Sequence, residues 1–310
     1  KYSEQLHLKA EYYTSIKKFM PDHFDIGVSI VVNDKKYAGR GTDKIEEIAY
    51  LKALSESIER SLLPIFNIEN SNGLAVHHSL DQAKLNARNE LIERDAFFCR
   101  YLLKSGMKKI QFEITEAEKY FKNENIDISY YEMCHYQDGY GVLCVADGVS
   151  HKRPFGLVMG TSFRSEVEVA KNQAFNEALR TVLSTVAKKE SESISIEEFS
   201  KMNDDQINFR DHGRLSLNLE YSKYFKDLLN NEIIALKDNI DHDDFSYEVL
   251  DNALIPIPEL PLLAVRANHP KLQQLYTGFT LTEKVNLNRL KQIFEEVSFK
   301  SINLIPHPFD

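Results

Sequence analysis

Four glutamates stand in two matching blocks, Glu56-Ser57-Ile58-Glu59-Arg60 and Glu90-Leu91-Ile92-Glu93-Arg94. On a helix, residues three or four apart share a face. Each block therefore offers two carboxylates to one side, with an arginine beside them. Like charges at this spacing cost an exposed helix about 0.2–0.5 kcal/mol, and more once they are taken out of water. Two accounts are open. One is a solvated face in which Arg60 and Arg94 offset the repulsion through ion pairs. The other is a hard-oxygen cage. Mg²⁺ takes one or two carboxylates together with water and phosphate oxygens, and two such ions can neutralise a triphosphate. No Gly-x-x-x-x-Gly-Lys loop occurs to cradle phosphates, and Gly39-Arg40-Gly41 is a weak signal alone.

The blocks sit in a repeated frame. Ala-x-x-x-Ala-x-x-Glu occurs at Ala49, Ala53 and Glu56, at Ala83, Ala87 and Glu90, and at Ala170, Ala174 and Glu177. Alanines four apart let a helix lie close against a neighbour. Asp43 precedes Glu46 by three residues, as Ser79 precedes Gln82 and Ser165 precedes Glu168, the spacing of a capping box. Each copy is thus expected to open a helix. The third copy continues Glu177-Ala178-Leu179-Arg180, with no second Glu at i+3. That pair suits contact with a nucleotide better than a metal pair.

Around these helices the pattern is mixed. Residues 1 to about 19 are amphipathic and predicted helical. Phe24–Val32 alternates as a half-buried strand, Asn33-Asp34 turns back into Lys36–Ala38, and Gly39–Thr42 reads as a flexible loop. Helices are predicted over about 43–63, 80–104, 166–188, 218–236 and 282–297. Strands are predicted over about 110–114, 126–133, 141–146, 155–159, 247–257 and 262–266. The polar, acidic stretch at about 189–215 reads as a mobile surface segment. Strands and helices do not alternate regularly, so the expected class is α+β, or a mixed-sheet sandwich, rather than a Rossmann fold. One catalytic domain is expected over 1–310, with no further domain to hold a leader peptide.

Composition limits the rest. At 310 residues, 43% hydrophobic and 27% charged, the chain has the make-up of a soluble globular protein with a sizeable core. A formal charge of −9 argues against general nucleic-acid binding. No apolar run approaches the length of a membrane span. Cys99, Cys134 and Cys144, odd in number and without a close pair, read as buried hydrophobes in a reducing compartment, the cytoplasm. Asp241-His242-Asp243-Asp244 reads as an exposed loop rather than a metal site.

In these motifs the chain resembles the YcaO family. Gly39-Arg40-Gly41 with Ala49 to Arg60 looks like its glycine loop and first Glu-x-x-Glu-Arg helix. Ser71-Asn72-Gly73-Leu74-Ala75 with Glu90 to Ala96 looks like the second, and Ala170 to Arg180 like the third helix. Arg266-Ala267-Asn268, Gly278, Arg289-Leu290 and Pro306-His307-Pro308-Phe309 resemble its C-terminal part. The resemblance implies an α/β assembly that binds ATP without a Walker motif. It implies Mg²⁺ on Glu56, Glu59, Glu90 and Glu93, and ATP near Lys52, Arg60, Asn86, Arg94, Glu177 and Arg180. It further implies activation of a peptide backbone amide: a Cys, Ser or Thr side chain attacks the preceding carbonyl, and the amide oxygen leaves as phosphate to give an azoline. Phosphorylation turns a poor leaving group into a good one. The expected setting is modification of a ribosomally made precursor peptide, with an E1-like or leader-binding partner protein. A homodimer is also compatible, and neither nucleic acid nor membrane is expected. Backbone thioamidation, amidine formation and a non-catalytic ATP-binding scaffold are the alternatives. Family members usually have Ser at the position of Lys52 and often Gln at that of Arg180. Asp310, where relatives often end in Pro, is a candidate base.

Overall fold

The computed structural model describes residues 8–18, 20–187, 193–236, 240–250 and 262–309. In chain order the strands are β1 (Lys9–Tyr12), β2 (Phe24–Val32), β3 (Lys35–Asp43), β4 (Leu74–His77), β5 (Lys108–Ile110), β6 (Asp127–Tyr136), β7 (Gly139–Asp147), β8 (Leu157–Arg164), β9 (Ser246–Leu250) and β10 (Leu263–Asn268). The helices are α1 (Glu46–Ile65), α2 (Leu80–Leu102), α3 (Glu116–Asn123), α4 (Val167–Ala187), α5 (Ile196–Ser200), α6 (Phe209–Ser216), α7 (Leu219–Leu229) and α8 (Leu287–Ile293). The mixed α/β class expected from the sequence is present. The described chain forms two compact units, Lys1–Leu91 with Asp241–Pro270, and Ile92–Ile240 with Lys271–Asp310.

The first unit holds two antiparallel three-stranded sheets, ordered β1-β2-β3 and β4-β10-β9. The alternation of β2 works as read: Ile26, Val28 and Ile30 are buried with Ala49, Ala53, Leu54, Ile58 and Leu62 of α1. Asn33 and Asp34 take φ of 50° and 60°, the backbone of a tight two-residue hairpin turn. Three expectations change. The first segment does not form the predicted α-helix where it is described. Lys9–Tyr12 pairs along the edge of β2, followed by a short 3-10 turn over Thr14–Lys18. Asp43 does not cap α1, whose N-cap is Ile45. Instead Asp43 accepts the Ile45 N–H at 3.1 Å. Residues Gly39–Thr42 are strand rather than loop.

The last change explains the Ala frame. A Cβ on Gly39 would sit 2.2 Å from the Ala53 carbonyl oxygen, and one on Gly41 2.0 Å from that of Ala49. Strand and helix backbones touch there, with alanine on one side and glycine on the other. The second unit repeats the device, since a Cβ on Gly160 of β8 would lie 2.1 Å from the Ala174 carbonyl oxygen of α4. The obstruction is backbone and cannot rotate away. We expect Gly160→Ala to cost about 3 kcal/mol, near the upper end of ordinary overpacking. Urea denaturation checks this, and an unchanged midpoint would contradict the close approach.

The second unit carries the antiparallel sheet β5-β6-β7-β8, with α4 against β8 and β7. The helix α3, not foreseen from the sequence, starts at a capping box in which the Thr115 and Glu118 side chains each accept the other's backbone N–H. The polar stretch after α4 carries α5, on a Ser195–Glu198 capping box, and the helix α6. The last predicted helix shortens to a 3-10 turn at Thr282–Lys284 and α8. Residues 251–257 of one predicted strand lie outside the described residues. All three cysteines are free and buried. Burial raises the Cys134 and Cys144 thiols above their ordinary range. Among the described residues no helix is long and apolar enough to cross a membrane.

Two buried polar devices hold the second unit together. Asp95 of α2 and Arg289 of α8, 0% and 1% exposed in their side chains' order, form an ion pair with Nη2 to Oδ2 at 2.8 Å. The Gln273 N–H also donates to Asp95 Oδ1 at 2.8 Å. Second, the His212 and His307 rings stack 3.9 Å apart. His212 Nε2 accepts from the Gly278 N–H at 2.9 Å, so its Nδ1–H donates to the His307 carbonyl at 2.7 Å. His307 Nδ1 accepts from the Phe309 N–H at 3.2 Å, so its Nε2–H donates to the Tyr276 carbonyl at 2.8 Å. Both rings are thereby neutral, and burial lowers their pKa, that of His212 to about 4.

An unfolded imidazole takes a proton below about pH 6.5, while folded His212 resists until about pH 4, so the unfolded state binds more protons between these values. Stability is complete above pH 6.5 and falls as pH drops toward 4. For His212 the expected loss is about 2 kcal/mol between pH 6.5 and about pH 5, and His307 acts in the same direction. Unfolding free energies over this window should fall less steeply for His212→Gln, and parallel slopes would refute the assignment.

Candidate functional site

The site residues fall into two electrostatic groups, one in each unit. In the first, Glu56 stands on α1 one turn beyond Ala53. Its Oε2 accepts the Arg40 N–H of β3 at 2.7 Å, and its Oε1 accepts Arg60 Nη2 at 2.7 Å. Arg60 also donates to the Ala38 carbonyl at 2.8 Å. Arg40 is itself held, since its Nε reaches buried Asp25 at 2.8 Å and its guanidinium lies 4.6 Å from the Tyr13 ring centre. Glu59, one turn on, accepts the Val76 N–H of β4 at 2.8 Å. Burial, then the charges of Glu90 and Glu56, push the Glu59 carboxyl well above the usual range against the opposing pull of Val76 N–H and Arg60. Glu90, half-buried on α2, is thus part of the same group.

In the second unit, Glu93 of α2 is 7% exposed and receives Arg94 Nη1 and the Thr161 hydroxyl, each at 2.5 Å. Arg94 Nη1 also donates to Thr161 Oγ1 at 3.0 Å. Glu177 of α4 accepts the Thr161 N–H at 2.8 Å. Burial, then the Glu93 charge, push its carboxyl up to about 7, against Arg94, Arg180 and the Thr161 N–H.

The two groups share one design. Arg40 N–H to Glu56 and Thr161 N–H to Glu177 both bridge 16 residues. Each donor follows the glycine that touches an alanine of the helix. A strand backbone thus aims a helix glutamate, and the aim depends on the glycine contact. Thr161 is a site residue missed in the sequence. The available signal was Gly160-Thr161, the counterpart of Gly39-Arg40.

The remaining predicted residues separate. Lys52, half-exposed, pairs with Asp43 at 2.7 Å. Asn86 is half-buried and makes no side-chain hydrogen bond among the described residues. Arg180 lies close enough to Glu177 to lower its pKa. Asp310 lies outside the described residues.

This donor set fits a hard cation. Glu59 and Glu177 hold protons at higher pH in the fold than in the open chain, so ionising them costs the fold stability. A divalent cation removes that cost, and carboxylate oxygens are what Mg²⁺ takes. Among the described residues no three acidic, His or Cys side chains already close on one point. The carboxylates are aimed, and each has lone pairs left over from its N–H bonds.

A family profile and several solved structures match the chain. The family profile of YcaO cyclodehydratase, ATP- and Mg²⁺-binding, matches residues 46–249. No curated protein matches the chain in sequence. Solved structures do match in fold. A chain of the Escherichia coli microcin synthetase McbBCD complex gives a TM-score of 0.58 at 10% identity, covering 97% of this chain and 96% of that one. YcaO from Methanopyrus kandleri bound with AMPPCP and Mg²⁺ gives 0.57 at 12% identity, covering 86% of each. A chain of the McbBCD complex with pro-MccB17 bound gives 0.51 at 14% identity, covering 85% of this chain and 68% of that one. The chain belongs to the YcaO family, as a cyclodehydratase-like enzyme whose cofactors are ATP and Mg²⁺.

Proposed function

We propose that this protein cyclodehydrates Cys, Ser or Thr residues of a ribosomally made precursor peptide to thiazolines or oxazolines. The observation that carries the proposal is the duplicated aiming of Glu56 and Glu177 by strand N–H groups, each beside further acidic side chains that the fold holds against their own repulsion. Glu59, kept in that state, suits Mg²⁺ better than a surface ion pair, and Glu177 suits contact with a Mg²⁺-bound nucleotide.

In this account Glu56, Glu59, Glu90 and Glu93 are Mg²⁺ ligands. Arg60, Arg94, Glu177 and Arg180 contact the nucleotide. ATP, when bound, supplies the phosphoryl group that turns the amide oxygen of the peptide into a leaving group. The arginines balance phosphate charge at fixed positions, Arg60 through the Ala38 carbonyl and Arg94 through Glu93 and Thr161. Lys52 contributes less than its position in the motif suggests, because Asp43 already neutralises it. Asp310 remains a proposed base. A precursor peptide and an E1-like or leader-binding partner complete the proposal, in line with neighbours that are chains of the McbBCD complex, one with pro-MccB17 bound.

Mass spectrometry tests the reaction. Incubation with ATP, Mg²⁺, the partner and a precursor peptide encoded beside the gene should remove one water per modified residue, with ADP and phosphate released. Exchange of oxygen for sulfur would instead show thioamidation. ATP consumption with an unchanged peptide would refute both.

A further inference from the structure

The Arg94 guanidinium carries a contact that the carboxylates do not explain. Its Cζ lies 4.1 Å from the centre of the Phe309 ring. Phe309 is 6% exposed and also meets the Phe97 ring edge-on at 5.1 Å and the Phe98 ring at 6.4 Å. The segment leading to it is tied down at several residues. The Asn303 N–H donates to the Leu102 carbonyl at 2.8 Å. The Tyr101 and Tyr221 hydroxyls donate to the Pro306 carbonyl at 2.9 and 2.8 Å. His307 is locked by the stacked pair with His212, and the Phe309 N–H ends on the His307 ring. So many bonds over seven residues leave the Phe309 ring little freedom. An aromatic face so fixed attracts a cation and sets its orientation.

We propose that Phe309 is a positioning residue for Arg94, its ring holding the guanidinium against Glu93 and Thr161 in the orientation that receives the nucleotide. This rests on the nucleotide reading of that group. The ring itself touches no reacting atom. His212 acts at one further remove, by fixing the backbone that carries Phe309.

Two measurements test it on Phe309→Leu, Phe309→Tyr and Arg94→Lys, with thermal melting to confirm folding. The first is calorimetric titration with ATP and Mg²⁺. Phe309→Leu should weaken binding by about fivefold or more, the scale of a partly desolvated cation–π contact, while Phe309→Tyr, which keeps the face, stays within about twofold of wild type. Equal affinities for Phe309→Leu and wild type would overturn the proposal. The second needs no nucleotide. In ¹⁵N-arginine spectra the Arg94 Nε–H signal, assigned by its loss in Arg94→Lys, should lie upfield and move downfield in Phe309→Leu but not in Phe309→Tyr. An unmoved signal would overturn the proposal even if ATP binds. A moved signal with no ATP binding by wild type would leave Phe309 holding Arg94 and refute the nucleotide reading instead.

Discussion

Asp95→Ala is expected to destabilise the protein by about 3–5 kcal/mol, because it strands a buried guanidinium without its counter-charge. Arg289 has 1% of its surface exposed and gives Asp95 its Nε and Nη2. Asp95 raises the Arg289 pKa despite the opposing effect of burial. Asp95 also accepts the Gln273 N–H, so that donor is orphaned too. The double variant Asp95→Leu with Arg289→Met should recover much of the loss, since apolar groups of similar volume often replace a buried pair at little cost. Denaturant unfolding of the two variants checks both statements. Additive losses in the double variant would mean that the pair is not coupled.

Glu59→Gln should have two effects of opposite sign. The carboxyl is disfavoured in the charged form by burial and by Glu90 and Glu56. Removing the charge relieves that repulsion, and the side-chain oxygen of Gln can still accept the Val76 N–H. The nucleotide-free variant should therefore melt no lower than wild type at pH 7. Turnover and Mg²⁺-dependent ATP binding should nevertheless fall by about a hundredfold or more, the scale of losing a metal ligand or its orienting group. Melting curves with and without Mg²⁺ and ATP separate the two effects. A variant that melts several degrees lower, with nucleotide binding intact, would make Glu59 a structural residue.

The outcome at each residue shows what one sequence could carry. The Ala-x-x-x-Ala-x-x-Glu frame was legible because helical periodicity is local, and α1, α2 and α4 stand close to their expected spans. The alternation of β2 was legible for the same reason. Gly39–Thr42 misled because loop-forming glycine and close-packing glycine look alike until the opposing helix is known. β1 misled because its pairing with β2 overrode a helical pattern that had no partner in view. Thr161 was invisible as a site residue because its role comes from where β8 meets α4, which no spacing within either element states. Asp95 with Arg289 and His212 with His307 are separated by 194 and 95 positions, and only the folded chain brings them together. Lys52 was visible, but its neutralisation by Asp43 was not.

The two glutamate accounts differ most sharply in what a cation does. Surface ion pairs weaken with salt and need no nucleotide. A Mg²⁺–ATP site should bind ATP strongly only when Mg²⁺ is present, and should lose that binding when a carboxylate on either Glu-x-x-Glu-Arg helix is altered. The direct measurement is calorimetric titration of ATP into wild type, Glu56→Gln and Glu90→Gln, with and without Mg²⁺. The account expects saturable heat for wild type with Mg²⁺ alone, and its loss in both variants. Unchanged Mg²⁺-dependent binding in both would contradict it and return the two Glu-x-x-Glu-Arg helices to ordinary ion pairing.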